Sequence, residues 1–292
     1  MTDRFSDVPG LSVGHAHDPV INTGVTVIVP DAPVVMAVDV RGGGPGTRET
    51  DALDPSTLVE RVHGLVLSGG SVFGLAAADE LVLGLSAAGV GLHIGAGLPA
   101  VPVVPAAILF DLANGGDKAW GAAPPYRRLA RAALAALGDD ACGRVGAGHG
   151  ARAGSRAGGI GSVSAMLPGG HRTGALIACN SFGEVYEGAP PDGPVPMPKR
   201  ASADNVRRNT TIGVIATDAP LTRAQARRVA MMAQDGLARC IRPIHTPFDG
   251  DCLFVLSTAA KTGAGSDPVA LTEIGTLAAD LVVRAVRRAV FG

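Results

Sequence analysis

Asn205-Val-Arg-Arg-Asn209-Thr210-Thr211-Ile-Gly-Val-Ile-Ala-Thr217 changes character within one residue. A polar stretch ends at Asn209, and from Thr210 the chain becomes a β-branched apolar run. Thr211, Ile212, Val214 and Ile215 read as a buried strand. A threonine hydroxyl therefore sits where an exposed loop meets a core strand. If the Asn209–Thr210 bond were cut, Thr210 would carry a free α-amine beside its own hydroxyl, a nucleophile with a built-in general base. Threonine is also common at the first position of a strand for packing reasons alone, so this stretch needs support from elsewhere in the chain.

The segment before it, 187–208, holds Pro190, Pro191, Pro194, Pro196 and Pro198 with no hydrophobic period. It reads as a long exposed loop, where a chain tolerates a break. After the Thr210 strand, Pro220-Leu-Thr222 opens a helix. Ala224, Ala226, Val229, Ala230, Met232 and Ala233 form its apolar stripe. Pro243-Ile-His245-Thr-Pro-Phe-Asp249-Gly250-Asp251 is rich in turn residues and feeds a strand at 252–257. A last helix over 268–290 turns Leu271, Ile274, Leu277, Leu281 and Val282 inward.

Working towards the N-terminus, 159–167 and 173–180 read as paired strands around Pro168-Gly-Gly. Gly146-Ala-Gly148-His149-Gly150-Ala151 mimics a dinucleotide fingerprint, but RAGSRAGGIG after it cannot open a helix, which excludes a Rossmann site. A helix is expected at 125–137 and a strand at 103–111. Gly64–Ser68 reads as a short strand, and Gly69-Gly70-Ser71 leads into an apolar helix ending near Ala88. That turn either presents free N–H groups to a developing oxyanion or allows close strand–helix packing. The esterase elbow G-x-S-x-G fails because Phe73 stands at its last glycine. Arg41-Gly-Gly-Gly-Pro-Gly-Thr47 lacks the lysine of a phosphate cradle and reads as a structured turn whose charged tail borders a pocket. Residues 24–30 and 32–39 read as a hairpin or adjacent strands.

Composition narrows the function classes. A net charge of −1 gives no nucleic-acid footprint and no membrane partner. Glycine is abundant at 41 residues and aromatics are only 3%, so the core must be packed from Ala, Val, Leu and Gly. Cys142, Cys179, Cys240 and Cys252 have neither zinc-ligand spacing nor a disulfide pattern, and no metal or cofactor is expected. With no apolar leader and no 18-residue apolar run, the protein is expected to be soluble and cytoplasmic.

LSGGSVFGL (67–75), GRVGAG (143–148), ACNSFGEV (178–185), NTTIGVIATDA (209–219) and RPIHTPFDGDCLFVL (242–256), in this order, resemble one family. It is the self-processing aminopeptidases and amidases that include L-aminopeptidase/D-amidase-esterases, β-peptidyl aminopeptidases and the nylon-oligomer (6-aminohexanoate-oligomer) endohydrolase. The resemblance implies a single α/β (α+β) domain over 1–292, a four-layer αββα sandwich like the N-terminal-nucleophile hydrolases. It implies self-cleavage into 1–209 and 210–292 and a homo-oligomer of such pairs. The chemistry it implies is an acyl-enzyme on Thr210 that cleaves amide bonds of short peptides, β-peptides or ω-amino acid oligomers. Asn180 matches the position that supports the nucleophile or oxyanion. Asp249 and Asp251 match the acidic pair near the nucleophile, and Gly69, Gly70 and Ser71 are the substrate or oxyanion candidates from the glycine turn. Relatives carry a lysine after GAG; here 149–159 offers only Arg152 and Arg156, and Arg156 is the electrostatic substitute. Two other functions fit less of this pattern: an ornithine-type N-acetyltransferase with a self-cleaved threonine, and a non-catalytic binding or assembly protein.

Overall fold

The computed structural model describes residues 2–195, 209–261 and 263–292. Two five-stranded sheets lie face to face with a pair of helices on each outer side. The first sheet runs β1 (Leu11–Asp18), β2 (Thr23–Pro30), β5 (Leu65–Ser68), β6 (Ala106–Ile108), β4 (Thr47–Arg48). The second runs β3 (Val35–Val40), β14 (Cys252–Ser257), β12 (Thr210–Thr217), β10 (Arg172–Asn180), β9 (Gly159–Met166). Two small ribbons, β7 (Arg152–Ala153) with β8 (Arg156–Ala157) and β11 (Glu184–Val185) with β13 (Ile241–Arg242), decorate the second sheet.

Alternation along the central strands explains the layers. Ile212, Val214 and Ala216 of β12, with Phe254 and Leu256 of β14, meet Ile28, Leu65 and Leu67 of the first sheet in the middle core. On the opposite face, Ile215, Leu253 and Val255 pack under α3 (Arg223–Ala238) and α4 (Pro268–Phe291) against Val229, Ala233, Ile274 and Leu281. A third core joins Val25, Val27 and Val66 to Leu81 of α1 (Ala77–Ala87) and Leu129 of α2 (Tyr126–Ala135). Each fully buried Val, Leu or Ile in these layers contributes about 1.5–3 kcal/mol of transfer free energy. Small residues let the layers approach: a Cβ on Gly161 would overlap the carbonyl of Ala285 in α4.

The helices form for the reasons their sequences announce. Thr222 accepts from Gln225 N–H at 3.2 Å while Gln225 Oε1 accepts from Thr222 N–H at 3.1 Å, a reciprocal cap. Asp267 caps α4 through Val269 and Ala270, with Pro268 in the first turn. Ala224, expected in the stripe of α3, is exposed.

Two expectations need correction. Residues 24–30 and 32–39 do not pair: β2 belongs to the first sheet and β3 to the second, and the chain crosses between them. The partner of β2 is β1, in register from Leu11↔Pro30 to Asp18↔Thr23. The strand expected at 103–111 is shortened to Ala106–Ile108. Of 187–208, residues 196–208 lie outside the described residues. Among the described residues, no helix is long and apolar enough to cross a membrane.

Candidate active site

β10 and β12 are antiparallel, and their register sets Asn180 opposite Thr210. Two residues 30 positions apart in sequence thus meet at one end of the second sheet. The parallel neighbour β14 brings the 249–251 turn to the same end, because Cys252 pairs with Ile212. Thr210, Asn180, Asp249 and Asp251 are all buried, and Asn209 is 9% exposed. The sequence-derived candidates other than the glycine turn therefore converge.

The Thr210 hydroxyl donates to the carbonyl oxygen of Asn209. It accepts from Gly250 N–H at 3.1 Å. Neither carboxylate is hydrogen-bonded to that hydroxyl. Asp251 accepts from Thr211 N–H at 2.7 Å through Oδ1, and from His245 N–H at 3.2 Å through Oδ2, which also lies 2.9 Å from His245 Nδ1. Asp249 accepts from Phe182 N–H at 3.1 Å and from the Thr246 hydroxyl at 2.5 Å. The two acids thus hold the backbone on either side of Gly250, whose N–H meets the hydroxyl. Residues 42–44 press on this turn from outside. Arg41 and Gly42 donate to the Asp251 carbonyl and Gly44 to that of Asp249. The glycines are required there: a Cβ on Gly42 would overlap Asp251 N.

Asn180 is held by three partners. Its Oδ1 accepts from Arg152 N–H at 2.8 Å and Asn114 Nδ2 at 3.2 Å, and its Nδ2 donates to Phe110 O at 3.0 Å. This network fixes which end of the amide is the donor. Asn209 donates its N–H to Phe248 O at 3.1 Å and its Nδ2 to Ser181 O at 3.0 Å.

Burial, together with the Asp251 charge, raises the Asp249 carboxyl to about 6. Its unfolded value is about 3.9. A raised folded value favours the protonated form in the folded state. The stability it confers is present below about 3.9 and lost as pH rises through about 6. In a Thr210→Ala background, we expect the original Asp249 protein to lose on the order of 2 kcal/mol relative to Asp249→Asn between pH 4 and 7. Urea unfolding at both pH values checks this; a difference that does not change with pH contradicts it.

The glycine turn does not supply free donors. Gly69 N–H donates to Gly24 O at 2.9 Å, Gly70 N–H to Asp111 Oδ1 at 2.8 Å and Ser71 N–H to Leu109 O at 3.0 Å. Close packing is what the glycines permit: Gly70 has φ +85°, and a Cβ there would overlap the Tyr126 ring. The turn is linked to the site through Asp111, which accepts from Gly70 N–H and whose chain neighbours Phe110 and Asn114 bond Asn180. Arg156 does not stand in for a lysine at the site, since it is exposed and stacks on Phe291 with 5.1 Å to the ring centroid. Arg152 contributes its backbone N–H, while its side chain is exposed.

Sequence reasoning missed His245, Gly250 N–H and Asn114. His245 had a signal, since it lies six residues before Asp251 in a segment with Pro247, where the chain must fold back. It takes φ +55°, a conformation that such a turn imposes. Asn114 had no local signal. Among the described residues, no cluster of three His, Cys, Asp or Glu side chains is placed to hold a metal ion.

A model of the family described as peptidase family S58 matches residues 3–292. An uncharacterized aminopeptidase of Mycobacterium tuberculosis is 42% identical over 322 residues, covering 97% of this chain and 92% of its own. A 6-aminohexanoate-oligomer endohydrolase of Kocuria sp. is 30% identical over 325 residues, covering 99% and 86%. A solved beta-aminopeptidase of Burkholderia sp. superposes with TM-score 0.75 at 26% identity, over 99% of this chain and 86% of that one. The L-aminopeptidase D-Ala-esterase/amidase of Ochrobactrum anthropi gives TM-score 0.74 at 22% identity, over 98% and 85%. Its structure is described as a new variant among the Ntn hydrolase fold, and that likeness bears on the fold alone. The four-layer αββα expectation agrees with these neighbours.

Proposed function

This chain belongs to peptidase family S58, and we propose that it is a self-processing aminopeptidase/amidase with Thr210 as its nucleophile. The observation that carries the reading is the Thr210 hydroxyl lying against the Asn209 carbonyl while accepting from Gly250 N–H. In the first reaction Thr210 Oγ attacks the Asn209 carbonyl carbon. The C–N bond to Thr210 breaks, and the hydroxyl proton ends on the departing Thr210 nitrogen. An ester now joins Asn209 to Thr210 Oγ. Water hydrolyses it, leaving an Asn209 carboxylate, a free hydroxyl and the new α-amine.

That amine, with an ordinary pKa of about 8, accepts the hydroxyl proton in each later turnover. A substrate amide acylates Oγ, its amine departs with the proton, and water releases the acid. In this scheme Gly250 N–H steadies negative charge on Oγ, and Asn180 supports the oxyanion, a role worth about 3 kcal/mol. Asp249 and Asp251 act by holding Gly250 and Thr211 in place. The substrate class is an amide of a short peptide, a β-peptide or an ω-amino acid.

The two fragments are proposed to remain one folding unit. β12 and β14, both after the cut, lie between β3 and β10, both before it. Assembly of such pairs into a homo-oligomer and a cytoplasmic location complete the proposal.

One experiment separates hydrolysis from acetyl transfer. Purified protein is incubated with an amino-acyl p-nitroanilide, and separately with N-acetylornithine and glutamate. We expect p-nitroaniline and free amino acid from the first mixture and no N-acetylglutamate from the second. Acetyl transfer without amide hydrolysis contradicts the proposal, and so does silence in both mixtures.

A further inference from the structure

We infer that His245 is the positioning residue that holds Thr210 in place once the chain has been cut, and that it acts through Asp251. The inference rests on the reading of Thr210 as a self-generated N-terminal nucleophile. It adds an asymmetry to that reading: His245 counts for more in turnover than in self-cleavage.

In the intact chain Thr210 is tied on both sides. On one side Asn209 donates its N–H to Phe248 O at 3.1 Å and its Nδ2 to Ser181 O at 3.0 Å. These bonds steady Thr210 only through the peptide that joins the two residues. Once that peptide is cut, Thr210 is a chain end, and chain ends lose their order unless they are tied down. The remaining ties come from the other side. Thr210 stands opposite Asn180 in the register with β10. Pairing with β14 begins only at Ile212, opposite Cys252. Between the cut and that first pair, Thr211 N–H donates to Asp251 Oδ1 at 2.7 Å. The carboxylate thus extends the ladder by one residue, up to the peptide that carries Thr210.

Asp251 is fully buried and must itself be fixed. Among the described residues its carboxylate has three donors, and two of them belong to His245. The backbone N–H of His245 lies 3.2 Å from Oδ2, and its Nδ1 lies 2.9 Å from the same oxygen. A carboxylate only accepts, so Nδ1 carries the hydrogen. The imidazole is largely enclosed, with 19% of the side chain exposed. Without the ring, Asp251 loses a charge-assisted bond and is free to turn away from Thr211.

The backbone of His245 supplies a clean pair of variants. It has φ +55°, a conformation that both asparagine and glycine accept. Asparagine offers a side-chain N–H near the place of Nδ1, and glycine offers none. Self-cleavage is followed as loss of uncut chain after cell-free synthesis. Turnover is followed as kcat and KM for L-alanyl-p-nitroanilide, per mole of cut chain. For His245→Gly we expect self-cleavage within about threefold of wild type but kcat lower by about tenfold or more, with KM little changed. His245→Asn should bring kcat back to within about threefold of wild type.

Equal losses in the two reactions overturn the inference, as does a wild-type kcat in His245→Gly or an asparagine variant that fails like glycine. If the glycine variant does not unfold cooperatively in urea, His245→Phe, which keeps a ring without the donor, carries the same comparison. A wild-type chain that stays uncut removes the nucleophile reading and the inference with it. A wild type that is cut and active, with no asymmetry in the variants, removes the inference alone.

Discussion

Thr210→Ala is expected to leave the chain whole and to remove amide hydrolysis by a factor of about 10⁴ or more, the scale seen when a nucleophile is deleted. Alanine keeps the strand start and removes only the hydroxyl and one methyl from a site that is 3% exposed. Folding should survive, because the layers around β12 are built by Ile212, Val214 and Ile215. Thr210→Ser should still cut and still turn over, since it retains both hydroxyl and α-amine. Substrate hydrolysis at the wild-type rate by Thr210→Ala, with its chain uncut, would exclude this residue as the nucleophile. The serine variant guards against misreading a merely structural effect: if it fails alongside alanine while both unfold cooperatively, the methyl rather than the hydroxyl is what matters.

Gly250→Ala is the second large effect. A Cβ at this position would lie 2.7 Å from Gly44 O, 2.8 Å from Thr210 Oγ1 and 3.2 Å from Pro45 Cα. The neighbour Gly44 cannot simply withdraw, because its N–H is bonded to Asp249 O at 2.7 Å. The methyl therefore displaces either the nucleophile or the turn that carries the Gly250 N–H. Losing one well-aimed donor at a developing charge costs about 10²–10³ in rate. We expect self-cleavage slowed at least about a hundredfold, followed as the fraction of uncut chain over time by denaturing electrophoresis. Cleavage at the wild-type rate would show that this N–H has no part in the reaction.

Much of this site could be read from residue types, and the reasons for the remainder are physical. The strand at Thr210 was legible because Ile212, Val214 and Ile215 form a β-branched run entered abruptly from a polar loop. The helices α3 and α4 were legible because their caps and stripes are local. The resemblance carried by the Asn-Thr-Thr and Asp-Gly-Asp segments agrees with membership of the S58 family. Pairing was not legible for β2 and β3. β2 is buried along both faces, and β3 is buried on both faces over Val35, Met36 and Ala37, so alternation cannot say which sheet each one joins. The donor to Thr210 was hidden for another reason. It is a backbone N–H, placed by Asp249, Asp251 and the packing of 42–44, all of which depend on contacts distant in sequence. The Gly69–Ser71 turn could be read as free donors or as close packing, and the packing reading is the one seen, since Gly24, Asp111 and Leu109 already accept from it. Arg156 illustrates the same limit, since charge near the right motif says nothing of where a side chain points.

The most direct measurement is the intact mass of the purified wild-type protein under denaturing conditions. Denaturation matters because β12 is hydrogen-bonded to β10 and β14 to β3, each pair spanning the cut, so the fragments would otherwise stay together. Two species with the masses of 1–209 and 210–292, the second beginning at Thr210, are the expected result. A single uncut chain, or a cut at any other bond, would contradict Thr210 as a self-generated N-terminal nucleophile.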